Sequence, residues 1–455
     1  MSTLRDLSVW LPALEAQLRD APGGVDLVEF DGVVSRGAIG GRRRMDGIAD
    51  TSVQGTNQYG RELWGELSAL AKRFDIKYVG VVLRSSRSGI CEVELIEPPA
   101  CVTHAPGGAV VRDLCLQDGA LPALYRRLPD LTVTAAAAPS ADPAALSRLI
   151  AQKLPNATPA TSEQLAAAEA QLGVPLTDEV RAIYSTAGSG HIRLDNDAGF
   201  YGMELIPLDA IEDRSTYLPD AGRLSWWWAG IESLGPDPAG RIQTLALSRL
   251  WFPVGHDWGG NFYAADLAPA AHGHRGQVVY LDHEGAGQAS YIAESFTELL
   301  VHGNESHFGG PVRDEGRAYI HDQSDIADAA EMLDLEVLCL RRSDCPVDLG
   351  PLLDHPQVRA IDAATGTLVD PLQLTLFPAL EYLSIGIAEW RILLDTNRVP
   401  RQLLAAGICE DDTDVAATIT TANDILRLWG RPLIEMTRLA GRLPTRRFQF
   451  PWGRR

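Results

Sequence analysis

Leu4, Leu7, Leu11, Leu14 and Leu18 recur at three- and four-residue steps, which predicts an amphipathic opening helix. An apolar run at 25–34 predicts a strand. The polar, Gly- and Arg-rich stretch 37–55 breaks the pattern and reads as a long loop. Helical spacing resumes at 59–74, with Leu63, Leu67, Leu70 and Phe74 on one face. Two strand-like runs, 78–83 and 90–96, flank the turn residues SSRSG. These elements define a small N-terminal α/β unit over 1–130, of unassigned role.

An Ala/Pro-rich segment, 131–147, reads as a linker. A second unit, 148–303, predicts helices at 147–154, 162–172 and 178–186, then strands and turns, a strand at 277–281 and a closing helix at 295–302. A faint repeat follows within 330–411. Leu335-x-x-Leu338-x-Leu340 recurs as Val358-x-x-Ile361-x-Ala363, as Leu380-x-x-Leu383-x-Ile385 and as Leu403-x-x-Ala406-x-Ile408, at spacings of 23, 22 and 23 residues. That interval suits leucine-rich repeats, one short strand each. Ser343, Gly366, Ala388 and Asp411 stand where such repeats carry Asn or Cys. Two readings therefore stay open, a leucine-repeat-like unit and an α/β domain with evenly spaced strands. Residues 412–455 read as an amphipathic helical segment with a basic tail, the last 18 residues holding six Arg and no acid. The fold class expected is α+β.

With 45% apolar and 22% charged residues, the 455-residue chain has a globular composition. Its formal net charge of −20 disfavours nucleic acid and favours a basic protein partner. The excess is uneven: 131–303 carries nine basic against twenty acidic groups, net −11. Six scattered cysteines form no C-x-x-C pair and no zinc-finger spacing, which reads as reduced thiols. The first twenty residues hold no apolar signal-peptide core, and no run of 18 apolar residues suggests a membrane span. A cytoplasmic location is expected, with no membrane contact and no cofactor. The oligomeric state is left open.

The most informative segment is PATSEQLAAAEAQLGVPLTDEVRAIYSTAGSG, from Pro159 to Gly190. Thr161 or Ser162 caps a helix, Gly173 ends it, Pro175 blocks its continuation, and Thr177–Asp178 open the next. Further on stand Phe252-Pro253-Val254-Gly255, Gly259-Gly260-Asn261-Phe262-Tyr263, Asp266-Leu267, Val279-Tyr280, Asp282-His283-Glu284-Gly285 and Ala293-Glu294-Ser295-Phe296. With Glu169 and Leu172-Gly173-Val174-Pro175-Leu176, their order resembles the SUKH superfamily, that of fungal cell-wall-synthesis regulators and many bacterial immunity proteins. The resemblance covers about 150–302. It implies a non-enzymatic binding domain, a mixed sheet covered by helices. In bacterial members it implies an immunity protein that neutralises a toxin by stoichiometric binding. An intracellular scaffold or regulator of the same fold is the alternative. A long insert at 217–243, containing Trp226-Trp227-Trp228, departs from the family pattern. Read as a strand, that run would point its middle Trp away from its neighbours.

The residues expected to steer and anchor a partner are Asp257, Trp258, Asp282 and Glu284 around the Gly-rich loop, with Trp227 from the insert. Asp266 and Gly260 are expected to turn the chain. A metal-dependent hydrolase is the rival reading, since His256-Asp257, His272-x-His274 and Asp282-His283 supply metal-competent groups. No H-E-x-x-H or H-x-H-x-D motif supports it. G-x-S-x-G is also missing, as is the Lys-Ser/Thr that a phosphate loop needs after Gly37-Ala38-Ile39-Gly40-Gly41. Arg42-Arg43-Arg44 reads as solvated loop.

Overall fold

The computed structural model describes residues 3–37, 39–50, 60–104, 111–193, 202–210, 226–282, 289–302, 314–342, 345–409 and 414–444. Three sheets organise them, and the α+β expectation holds.

The first region runs α1 (Leu7–Arg19), β1 (Leu27–Val34), β2 (Ile39–Met45), β3 (Ile48–Asp50), α2 (Arg61–Arg73), β4 (Val79–Ser86), β5 (Ile90–Glu97), β6 (Val102–His104) and β7 (Val111–Cys115). Strands β1 to β5 form an antiparallel sheet in the order β5-β4-β1-β2-β3. Helices α1 and α2 bury their leucines in one core with Phe30, Val81 and Leu83. Part of the expected 37–55 loop is therefore strand. The apolar alternation that would reveal it is missing for two reasons. Phe30 lies across the backbone of Gly32 and Gly41, where a Cβ would come within 2.5 Å of the ring. The inward side chain of β2 is Arg43, which is 1% exposed. Its guanidinium donates to the Gln17 carbonyl at 2.5 Å and the Asp20 carbonyl at 3.4 Å, at the negative end of α1. Arg42 pairs with Asp31 and Arg44 with Glu29, so the triplet is not a solvated loop.

The second region runs α3 (Pro143–Lys153), α4 (Ser162–Leu172), α5 (Asp178–Thr186), β8 (Gly190–Arg193), β9 (Gly202–Leu205), α6 (Trp226–Ala229), β10 (Trp251–His256), β11 (Phe262–Asp266), β12 (Gln277–Leu281), β13 (Ala289–Ala293) and α7 (Phe296–Leu300). Its sheet, ordered β13-β12-β11-β10-β9-β8, is antiparallel in every pairing, where a mixed sheet was expected. Thr161 and Gln164 close a capping box on α4, and Gly173 ends the helix at φ +74°. Glu169 accepts from the Leu176 amide at 2.7 Å and pairs with Arg181, fixing the α4–α5 turn. The buried Glu179 carboxylate accepts from the Phe296 and Thr297 amides and the Thr297 hydroxyl, tying α5 to the start of α7. Part of the 131–147 segment is laid onto this unit. The Arg275 amide donates to the Ala136 carbonyl at 2.9 Å, the Asp142 amide donates to the Thr297 hydroxyl, and Ala138 is buried.

The third region runs β14 (Arg317–Ile320), α8 (Gln323–Ala330), β15 (Val337–Leu340), β16 (Ala360–Ala363), β17 (Tyr382–Ile385), α9 (Ile387–Asp395), β18 (Ala405–Ile408), α10 (Val415–Leu428) and β19 (Glu435–Arg442). Strands β14 to β18 pair in parallel, and the repeat residues Leu338, Ile361, Leu383 and Ala406 lie in register. All twelve repeat positions are buried in one core. Each repeat thus places one strand and turns the same side chains toward the helices. Of the four positions after the repeats, Ser343 and Asp411 lie outside the described residues.

Two sequence-drawn boundaries differ from the pairing. Strands β6 and β7 leave the N-terminal unit and extend the parallel sheet, antiparallel to β18. From the C-terminal segment, expected to be helical, β19 returns to pair along β5. Each covers an open sheet edge that would otherwise present unpaired backbone groups. Part of the basic tail, 445–455, lies outside the described residues.

Candidate functional site

The site is the tip of the β10–β11 hairpin. His256 pairs with Phe262, and the Asp257 amide donates to the Asn261 carbonyl at 3.2 Å, leaving Trp258-Gly259-Gly260 as the loop. Asp257 organises that loop. Its Oδ1 accepts from the Gly259 amide at 2.7 Å and the Asn261 amide at 3.1 Å. Its Oδ2 accepts from the Asn261 side-chain amide and the Tyr280 hydroxyl, both at 2.8 Å. Partial burial alone would raise its pKa; the bonds from Asn261, Tyr280 and Gly259 outweigh that and hold the carboxyl below its ordinary range.

Trp258 sits on this frame with φ +66°, a left-handed conformation unusual for a bulky residue, and is 72% exposed. Its amide lies 3.3 Å from His256 Nδ1, and its ring meets the His256 ring edge-on at 5.0 Å. An exposed indole on a loop fixed by five hydrogen bonds has lost its backbone freedom already, so a partner would not have to order it. Gly260 supports the turn at φ +101°, as expected.

Asp282 follows β12, whose Leu281 pairs with Phe262, so it stands at the same end of the sheet as the tip. Glu284 lies outside the described residues, as does His283. Asp266 is fully buried at the end of β11, accepting from the Gln277 side chain at 2.9 Å and the Ala268 amide at 3.1 Å. Burial pushes its carboxyl up to about 7 against those two bonds. It serves the turn into β12 and faces no partner.

Trp227 does not join the tip. Trp226–Ala229 is one turn of helix, not a strand, and it packs on the parallel sheet of the third region. Trp226 is buried and stacks on Tyr382 at 5.9 Å. The Trp227 amide donates to Asp113 at 3.1 Å, and its ring carries the Arg112 guanidinium at 3.6 Å. Arg359, 7% exposed, donates to the Gly230 and Glu232 carbonyls and to Glu336, latching the same segment. The insert continues to Ile242, which with Leu245 covers the second face of the β8–β13 sheet against Trp251, Val279 and Tyr291. It therefore bridges two sheets. Part of it, 217–225, lies outside the described residues.

The sequence reading missed Tyr280, the anchor of the tip. Val279-Tyr280 stands among the motif residues but is given no site role there; alternation is the signal for one, since Tyr280 pairs with Tyr263 on β11, on the face that carries the Tyr263 ring at 5.4 Å. Among the described residues, no group of three or more His, Cys, Asp or Glu is placed to hold a metal ion. The His272 ring faces the Ala239 carbonyl, and the His274 amide donates to Gln277. No helix among the described residues is long and apolar enough to cross a membrane.

A capped helix pair, an antiparallel sheet, a short closing helix and an aromatic hairpin tip make up this middle region, in the order the motifs suggested. Residues 159–302 match the model of the SMI1/KNR4 family (SUKH-1), and this middle region is a SUKH domain. Such a domain fits an immunity or regulatory protein-binding role. No curated protein shows a significant match to the chain.

Proposed function

We propose that the protein is a non-enzymatic, cytoplasmic immunity protein that neutralises a basic bacterial toxin domain by stoichiometric occlusion. The observation that carries this reading is Trp258, an exposed indole held in a left-handed turn by the Asp257 network. Tryptophans at the centre of an interface are frequent anchors. The net −11 of 131–303 would steer a basic surface toward the domain. Asp282 and Glu284 would contribute to that steering, whereas Asp257 acts by holding the loop.

The test is capture on tagged full-length chain, from native cells at low and high salt, with wild type and Trp258→Ala side by side. A single basic toxin domain is expected, held one-to-one, weakened by salt and by at least tenfold in the variant. Recovery of housekeeping enzymes alone, equally by both chains, would overturn immunity in favour of an intracellular scaffold.

A further inference from the structure

Cys101 and Cys115 stand opposite each other across the β6–β7 hairpin. Thr103 pairs with Asp113 and Val102 with Leu114, and the ladder continues as the Cys115 amide donates to the Cys101 carbonyl at 2.7 Å. Residues directly opposite on antiparallel strands share a face, with Cβ atoms about 4.5–5.5 Å apart. In a hydrogen-bonded pair the Cα atoms lie about 5.5 Å apart, inside the range that a disulfide spans. Both thiols are free. The pair is invisible to a search for C-x-x-C because its two members belong to different strands.

The two thiols differ in their surroundings. Cys115 is half-buried, and its thiol donates to the Gln117 carbonyl at 3.1 Å. Cys101 is 9% exposed. Arg431 stands beside both. Its guanidinium pairs with Asp118 at 2.6 Å. That carboxylate raises the Arg431 pKa, burial offsets part of the rise, and the Cys101 sulfur adds to it. Burial pushes the Cys115 thiol up, and Arg431 pulls it back. Cys339, by contrast, is fully buried in the parallel sheet, and burial pushes its thiol up to about 12.

The location joins two regions. Cys101 lies between β5 and β6, Cys115 ends the strand that pairs with β18, and Arg431 lies between α10 and β19. These are the segments through which the antiparallel sheet of the first region and the parallel sheet exchange strands.

We propose that Cys101 and Cys115 are a redox-responsive thiol pair, which a low-molecular-weight disulfide oxidises to a reversible cross-strand bridge. The Cys115 thiolate attacks one sulfur of the small disulfide, forming a mixed disulfide and releasing one thiolate. The Cys101 thiolate, beside the Arg431 guanidinium, then attacks the Cys115 sulfur and expels the second thiolate. The cysteines give up two protons and two electrons, and the small disulfide takes them and leaves as two thiols. In a reducing compartment the pair rests as thiols, and it closes when the thiol pool is oxidised. Neither step involves the hairpin tip or a toxin.

The test is incubation of full-length protein with oxidised glutathione, then thiol blocking, digestion and mass spectrometry. Wild type is expected to carry the Cys101–Cys115 bridge at least tenfold above any other cysteine pair, and to lose it on adding dithiothreitol. Cys101→Ser should stop at the glutathione adduct of Cys115, at least tenfold above its level in wild type. Arg431→Gln should slow closure of the bridge severalfold while the adduct of Cys115 still forms. If Cys101→Ser unfolds the chain, Cys101→Ala takes its place, and if both unfold it the wild-type bridge map decides. A Cys115 adduct that never gives way to the bridge in wild type would overturn the proposal. So would bridging that favours Cys345 or Cys409, or a bridge that forms only in the urea-unfolded chain.

Discussion

The Tyr280 hydroxyl donates to Asp257 Oδ2 at 2.8 Å and thereby ties the β10–β11 tip to strand β12. One phenol thus links the residue that shapes the loop to the body of the SUKH sheet. Tyr280→Phe should cost about 1–2 kcal/mol, a charge-assisted bond discounted for partial exposure. It should also speed amide exchange at Gly259 and Asn261. Because Asp257 is depressed in the fold, its stabilisation is full above the unfolded carboxyl range and lost as pH falls through the folded value. The variant should lose less stability on acidification than wild type, as read by urea unfolding from pH 6 to pH 3.

Trp258→Ala should leave stability within about 0.5 kcal/mol, because the ring is mostly solvent-exposed. Any large loss of partner binding in that variant then reports contact and not unfolding. A fall in the thermal midpoint of several degrees would mean that the indole holds the loop.

Asp266 has the opposite sign to Asp257. Its carboxyl is pushed up to about 7, so between pH 4 and 7 the folded chain keeps a proton that the unfolded chain has released. Its contribution therefore declines as pH rises through that window, by up to about 1.4 kcal/mol per pH unit. In Asp266→Asn this slope should vanish, which denaturant titrations at pH 4.5, 5.5, 6.5 and 7.5 would show. An unchanged slope would place the titration elsewhere.

Arg359→Ala strips a buried guanidinium from Glu336 and from the carbonyls of Gly230 and Glu232. The loss should be about 1–3 kcal/mol, the cost of leaving the buried carbonyls without their donor, because Glu336 is partly exposed and keeps Arg127 beside it. Proteolysis within the 226–246 segment should accelerate in step, detectable by limited digestion and mass spectrometry.

Much of the SUKH domain was legible along the chain. Thr161, Gly173, Pro175 and Thr177 act within a few residues of themselves, and they bound α4 and α5 as read. The Gly-rich hairpin and the repeat were legible for the same reason: their periods are local, and each Leu or Ile of the repeat meets its copy in the next strand. Strand β2 escaped because its inward positions are glycine and arginine, whose burial depends on Phe30 and on the carbonyls ending α1. The strand-exchange of β7 and β19 joins residues hundreds of positions apart, which no periodicity encodes.

The candidate site divides along the same line. Sequence alone placed Asp257, Trp258 and Gly260 in one Gly-rich turn and expected Asp282 near it, since turn chemistry and strand alternation act over short spans. Only the tertiary structure decided that Asp257 faces Asn261 and Tyr280 while Trp258 faces solvent. It also sent Trp227 to another sheet altogether, where Trp226 stacked on Tyr382, the Asp113 carboxylate and the Arg359 latch hold the insert. Those contacts are long-range, and three unrelated segments must meet before any of them exists.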